Sequence, residues 1–409
     1  MTFEIEIPET ASIHEAENIA FEKMQATGRD LLLKFICEKS KTLRPAGLRL
    51  KDTARRYLET RFGVIHFERQ KFHDPKKRRS ISPLLAALGL SPRQASTDGL
   101  TRAGIELAVE KSYGYAAQKL TALTGVLRGK TTIWQDVQKL GQAVAEREDA
   151  EIDNLFSGGE IKPEPVEKPD TVAIEIDETM IHARDSTKSE KHMPRIAMVY
   201  TAKKRRGKKY ALHNKRLVAR IEHPSDFGRR LFWTTSKYYQ HQQANTVVIR
   251  SDGANWIRNI REEHYSSALW QTDPWHVIDK IKMLKLPDRL EQRLIDHTMH
   301  GKPQLLSKNL WQLCTIAKST DIQKLAQYVD RNKDGLYPLP QLADPKLTRA
   351  ERSMFVRGSG AMERNVGLLV TDRMKNQRMI WSLRGANNLL ALRCLKYSGK
   401  KAWQKIWQQ

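Results

Sequence analysis

The sequence predicts a mixed α/β protein: a mainly helical N-terminal region with one β-hairpin, then a sheet-bearing region interrupted by a long helical stretch. Three observations predict this. Residues 97–148 keep a helical apolar period, and residues 172–273 hold five short β-type runs separated by helical segments. Between them, residues 149–170 are acidic and run from Ser157-Gly158-Gly159 through Pro163, Pro165 and Pro169, the composition of an exposed linker. The 409 residues suffice for two or three domains with a sizeable core. Lys and Arg number 71 against 47 Asp and Glu, a net charge of +24. Such a surplus points to a polyanionic partner, because each neutralised phosphate releases condensed counterions. Hydrophobic residues at 40% exclude a disordered basic tail. The three Cys, none near another, exclude a disulfide framework and a paired-cysteine zinc site. No apolar run is long enough to span a membrane, and acidic residues 1–10 lack a signal-peptide layout. The expected setting is the cytoplasm, beside nucleic acid.

Taken in order, residues 9–39 read as one helix, with Ile19, Phe21, Met24, Leu31, Leu32 and Phe35 at spacings of three and four. Residues 41–80 carry 13 Lys/Arg against 4 Asp/Glu, and within them 55–67 alternate as a β-hairpin whose exposed faces are expected to be strongly basic. Residues 1–96 form this first region and 97–148 the second. There Thr97-Asp98 caps a helix to about Lys111, Tyr113 begins another, Thr124-Gly125 turns, and Lys130 opens a third. That layout suits a DNA-binding helix-turn-helix, and equally a plain helical bundle. In the first case Arg128, Lys130, Thr131, Thr132 and Gln135 face DNA while Ile133, Val137 and Leu140 pack inward.

Past the linker, residues 171–276 hold runs at 172–177, 196–200, 217–221, 246–251 and 268–273, with helices at about 225–243 and 255–264. This is the order of a mixed sheet. Lys203, Lys204, Arg205 and Arg206 lie in a strongly basic turn between the second and third runs. Residues 277–350 read as helical. In 351–409, Gly358-Ser359-Gly360 opens a long helix to about Arg378, and Leu389, Leu390 and Leu392 belong to a closing core helix.

Two of the runs end in carboxylates, Asp177 and Asp252, and Glu363 sits in the first turn after Gly360. Acids from adjacent strand ends and a crossing helix could hold two Mg²⁺ or Mn²⁺ ions for in-line phosphoryl transfer. Each also has an ordinary role: Asp252-Gly253 as a strand-to-helix turn, Glu363 as a helix N-terminal acid, Asp177 as a strand-end acid. Asp273 ends another run and competes with Asp252 as second ligand. His276 either supports an acid or the scissile phosphate, or is a structural histidine. Arg364, Arg373, Lys375 and Arg378 follow Glu363 and are candidates to hold a DNA backbone.

The series Glu175-Ile176-Asp177-Glu178, Arg250-Ser251-Asp252-Gly253-Ala254-Asn255-Trp256-Ile257 and Asp273-Pro274-Trp275-His276 resembles the DDE transposases of bacterial insertion sequences. So do Gly358-Ser359-Gly360-Ala361-Met362-Glu363, Arg373-Met374-Lys375, Met379-Ile380-Trp381-Ser382 and Gly385-Ala386, which resemble most the Lre/Kra-type group. The resemblance covers about 170–395 well and the first 165 residues loosely. It implies an RNase H-like catalytic domain with Asp177, Asp252 and Glu363 as metal-binding triad, and a helical insertion at 277–350. Spacings of 75 and 111 residues separate the three acids. Glu178 follows Asp177 where many relatives have a small residue, and is kept outside the triad because strand neighbours face oppositely. The implied activity is binding of the element's inverted terminal repeats, strand cleavage and strand transfer on double-stranded DNA, by a dimer or larger homo-oligomer. A silent DNA-binding derivative and a nuclease that cuts without joining are the other readings.

Overall fold

The chain folds as two units, residues 1–139 and 140–409, in the computed structural model. The structure describes residues 7–43, 48–74, 79–164, 169–185, 188–206, 209–337, 361–375 and 379–407.

In the first unit, Ser12 caps α1 (Ile13–Thr42) in a reciprocal box with Glu15. Strands β1 (Arg49–Thr60) and β2 (Gly63–Asp74) form the hairpin, with β3 (Arg79–Ile81) at its edge. Alternation puts Leu58, Ile65 and Phe67 inward, against Ile36 of α1 and Leu84 and Leu85 of α2 (Pro83–Ala87). The outward face is mixed rather than strongly basic. Arg55 lies opposite Glu68, 3.8 Å away, and Tyr57 opposite His66. Arg56 is turned aside to donate to the carbonyls of Ser91, Pro92 and Gln94.

Thr97 and Ser112 cap α3 (Asp98–Glu110) and α4 (Tyr113–Thr124), and α5 (Lys130–Phe156) follows a left-handed Gly125. Leu100, Ala108, Ala116, Leu120, Ile133 and Val137 are their buried residues. Lys130, Thr131, Thr132 and Gln135 are exposed on α5. Arg128 is not. Its guanidinium is buried between Glu59 at 3.1 Å and Asp136 at 2.6 Å, so it neutralises acids of its own unit instead of facing a ligand.

The second unit is built on a five-stranded sheet of β4 (Thr171–Glu178), β7 (Arg195–Tyr200), β10 (Arg216–Arg220), β11 (Thr246–Ser251) and β12 (Leu269–Thr272). The spatial order is β10-β7-β4-β11-β12. The first three are antiparallel, while β4, β11 and β12 run parallel. These are the five runs legible in the sequence. Two polar ribbons were not: β5 (Ile181–Asp185) with β6 (Lys188–His192), and β8 (Ala202–Arg206) with β9 (Lys209–His213). Residues 203–206 thus belong to a strand, not a turn.

One face of the sheet, with Val172, Ile174 and Ile176, is covered by α6 (Pro224–Tyr239) and α7 (Asn255–His264). The opposite side receives α12 (Ala361–Val366), which packs on β4 and β7; α13 (Leu383–Ser398) packs on the edge strand β10, its Ser398 and Asn387 side chains accepting from the Leu217 and Ile221 N–H groups, and α14 (Lys400–Lys405) follows. With both sides covered, residues 171–176 of β4 are all buried. Between the sheet's last strand and α12 stand α8 (Pro274–Met283), α9 (Asp288–Met299), α10 (Pro303–Ala317) and α11 (Thr320–Arg331), with their own core of Ile281, Leu294, Leu306, Leu310, Leu325 and Val329. The expected glycine turn at 358–360 and Arg378 lie outside the described residues. After α12 the chain widens into a π-helical stretch, Gly367–Lys375, whose Leu368 and Leu369 carbonyls accept from buried Arg393. Arg373 is buried there with its guanidinium over the Trp381 ring, so it is not a surface cation. Trp381, Leu389, Leu390 and Leu392 are buried, as their patterning predicts.

The acidic residues expected to start the linker are helical instead, because α5 continues to Phe156. Basic residues of the second unit hold them. Arg230 donates to Asp149 and bidentately to Glu222 at 2.8–2.9 Å, Arg220 pairs with Asp149 at 3.2 Å, and Lys237 with Glu151. Glu148 is half-buried beside Arg230, and that burial raises its pKa. Gly141 meets α13 so closely that a Cβ would stand 2.3 Å from the Asn388 carbonyl oxygen. Among the described residues no helix is long and apolar enough to cross a membrane.

Removing buried Arg230 takes the shared cation from three partly exposed acids. Arg230→Ala is expected to cost about 1–3 kcal/mol in thermal or denaturant unfolding, whereas Arg55→Ala, in an exposed pair, changes stability by less than about 1 kcal/mol.

Candidate active site

The parallel register sets the site. Arg250 pairs with Glu175 on one side and with Gln271 on the other. Side chains two apart on a strand share a face, so the next row on that face is Asp177, Asp252 and Asp273. The ladder continues to the strand ends, where the Asp273 N–H donates to the Ser251 carbonyl at 2.9 Å. Three carboxylates therefore stand side by side at the ends of adjacent parallel strands, on the side of the sheet that receives α12.

Glu363 comes from the first turn of α12. The Asn365 amide anchors that helix over β7, accepting from Lys215 at 3.0 Å while donating to the Ala361 carbonyl at 2.7 Å. Asp177, Asp252, Asp273 and Glu363 line one cleft of about 700 Å³, together with His276, Asp279, Trp275 and Met362. Its floor is the row beneath the acids: Tyr200 donates to Glu175 at 2.7 Å, and the Arg250 guanidinium lies between Glu175 and Gln271. The four acids are not drawn into a ligand cluster. Among the described residues, no three His, Cys, Asp or Glu side chains are grouped as a metal site would require.

Electrostatics single out Asp177. Burial raises its pKa, and the Asp252 and Asp273 charges add to the rise, against the Glu178 N–H at 2.8 Å and the His276 ring. The Asp252 charge acts on it more strongly than that of Asp273, which stands one strand farther away. Glu178 does not line the cleft. Its pKa is also raised by burial, opposed by Arg195 across β7. Asp273 caps α8, accepting from the Trp275 N–H at 3.0 Å.

Several positioning residues escaped sequence reasoning because they lie in the helical block, far along the chain. The Tyr328 hydroxyl of α11 donates to the Asp252 carbonyl, and burial, with the Asp252 and Asp273 charges, holds its own pKa high. Asn332 crowds Gly253. At φ +83° a side chain there is strained, and its Cβ would meet the Asn332 amide at 2.5 Å. Arg258 of α7 donates to Asn332 at 3.2 Å. The turn at 333–336 closes on β12, with Gly335 against Trp270 and Thr272.

The expected cations divide. Arg364 is exposed next to Glu363, and burial, with the Arg364 charge adding to it, lowers the Lys215 pKa. Lys375 is exposed and donates to the Thr179 hydroxyl, two residues past Asp177. Arg128 and Arg373 are buried, and the side chains of Lys203, Lys204, Arg205 and Arg206 lie outside the described ones.

Comparison with known proteins adds three findings. No curated protein matches the chain. Among solved structures, the Drosophila P element transposase strand transfer complex is similar over 79% of this chain and 82% of that chain, at 11% identity and a TM-score of 0.25. A TM-score of that size lends no support to any reading of fold or activity. The model of one family, however, matches residues 7–409, and the chain therefore belongs to the uncharacterised protein family UPF0236.

Proposed function

We propose that this chain is a DDE-type DNA transposase of the Lre/Kra kind, with an RNase H-like catalytic domain, a helical insertion and an N-terminal helix-turn-helix. The observation that carries the reading is the cleft that gathers Asp177, Asp252, Asp273 and Glu363 from three strand ends and a helix. An all-oxygen donor set in a half-buried acidic cleft fits a hard divalent cation, whose charge would offset the burial and the repulsion that raise the Asp177 pKa. Asp177, Asp252 and Glu363 would hold two Mg²⁺ or Mn²⁺ ions. When bound, such ions supply charge neutralisation at a phosphate and a nucleophilic oxygen at neutral pH.

The chain's own groups do the rest. Asp252 is the preferred second acid because its strand lies beside that of Asp177, whereas that of Asp273 is one strand farther away. His276, which lines the same cleft, would hydrogen-bond a phosphate oxygen. Arg364 and Lys375 flank the cleft and hold the DNA backbone, while exposed Lys130, Thr131, Thr132 and Gln135 contact the terminal repeats.

The deciding assay is strand cleavage and joining on labelled DNA bearing the element's own ends, with Mg²⁺ or Mn²⁺. Asp177→Ala, Asp252→Ala and Glu363→Ala should each retain binding and lose about 10²–10³-fold or more of both activities. Asp273→Ala should lose far less; a loss as deep as that of Asp252→Ala would make Asp273 the second ligand. Cleavage without joined product would leave a nuclease. Binding without any product would reduce the chain to a DNA-binding derivative. Lys375→Ala should weaken DNA binding about equally across sequences and lower the salt slope by about one.

The raised Asp177 pKa yields a separate expectation. A carboxyl raised on folding stabilises the fold only while protonated, and that contribution is lost as pH rises through the folded value. At neutral pH ionised Asp177 therefore costs stability, and Asp177→Asn should melt above wild type in EDTA, the gap closing as pH falls into the carboxylate range. Mg²⁺ should raise the melting temperature of wild type and not of the variant.

A further inference from the structure

Helix α1 buries one side and leaves another apolar side uncovered. Leu32, Leu33 and Ile36 pack on the hairpin and α2. Phe21, Met24, Leu31 and Phe35 are all exposed, Met24 by 53% and Phe35 by 49%. With Gly28 they recur at spacings of three, four, three and four, the period of a helix–helix seam. The Phe62 ring lies over Gly28, where any Cβ would collide with it at 2.4 Å, and adds its own exposed edge to the stripe. A run of large apolar side chains along one helix marks an interface more often than a solvated face.

Charge says what covers it. Residues 13–27 carry Glu15, Glu17 and Glu22 against Lys23 alone, and residues 28–42 carry Arg29, Lys34, Lys39 and Lys41 against Asp30 and Glu38. That polarity suits the helix's own dipole. It also makes the helix complementary to a reversed copy of itself, acid over base at both ends, while a parallel copy would set like charges together. A two-fold axis near residue 28 sets Met24 opposite Leu31 and Phe21 opposite Phe35. From Phe21 to Phe35 the seam runs about 21 Å.

We propose that α1 is the homodimerisation element of this protein, two chains pairing antiparallel along Phe21, Met24, Leu31 and Phe35. The inference stands independently of the chemistry proposed above, because oligomeric state is read without DNA or metal. Sedimentation velocity or light scattering of the full-length chain should give a two-chain mass for wild type. Met24→Glu with Leu31→Glu should halve that mass with the circular dichroism spectrum unchanged. In a Cys37→Ser background, a mixture of Met24→Cys and Leu31→Cys chains should form the mixed disulfide faster than Met24→Cys chains pair with themselves. A wild-type chain that stays monomeric at every concentration overturns the proposal, as does a folded double variant that keeps the dimer mass. Self-pairing of Met24→Cys as fast as the mixture overturns the antiparallel arrangement, and this readout holds even if the glutamates unfold the helix.

Discussion

The site depends on one constraint, the register of β4, β11 and β12. Because Glu175, Arg250 and Gln271 lie in one row, Asp177, Asp252 and Asp273 must lie in the next, and a slip of one residue in any strand would turn its acid to the opposite face. The row beneath is itself polar, with Arg250 between Glu175 and Gln271 and Tyr200 closing the end. A buried guanidinium with acceptors on both neighbouring strands is a specificity device: it is satisfied in one register and stranded in the others. The same side chains that line the floor of the cleft thereby define where its rim of acids stands.

The helical block between β12 and α12 acts as a buttress. Its last helix touches the Asp252 carbonyl through Tyr328, its exit turn presses on Gly253 and β12 through Asn332 and Gly335, and α7 is tied in through Arg258. The loop after β11 is therefore held from outside the sheet, and the freedom that Asp252-Gly253 would have as a bare turn is removed. Asp252 acts as an ordinary turn residue and a cleft residue at once, since its carboxylate accepts from the Ala254 N–H at 3.0 Å while facing Asp177. The two sequence interpretations of this dipeptide were never exclusive.

Much of the second unit was legible because its sheet is buried on both sides, which forces apolar β-branched runs such as 172–176 and 246–249. Strands with few apolar positions gave no signal: 181–192 and 202–213 pair as ribbons, and the short alternation of buried Ile181 and Ala183 is too brief to mark one. Charge misled where partners lie far along the chain. The acids Asp149 and Glu151 read as linker because Arg220, Arg230 and Lys237 stand some 70–90 residues later, and Arg128 and Arg373 read as surface because a cation's sequence neighbours do not show whether it is buried. The candidate acids were legible individually, from strand ends and resemblance. Their alignment required the pairing register, which no local pattern encodes.

The order of the acids along the chain has a consequence for synthesis. Asp177, Asp252 and Asp273 are made before the helical block, and Glu363 follows Asp273 by 90 residues. At typical elongation rates the delay is roughly 5–20 s. Throughout it, a nascent chain can display the basic N-terminal unit and the sheet while lacking the last acid of the cleft. Chains released before that point would carry the cations of the N-terminal unit without the complete acidic set.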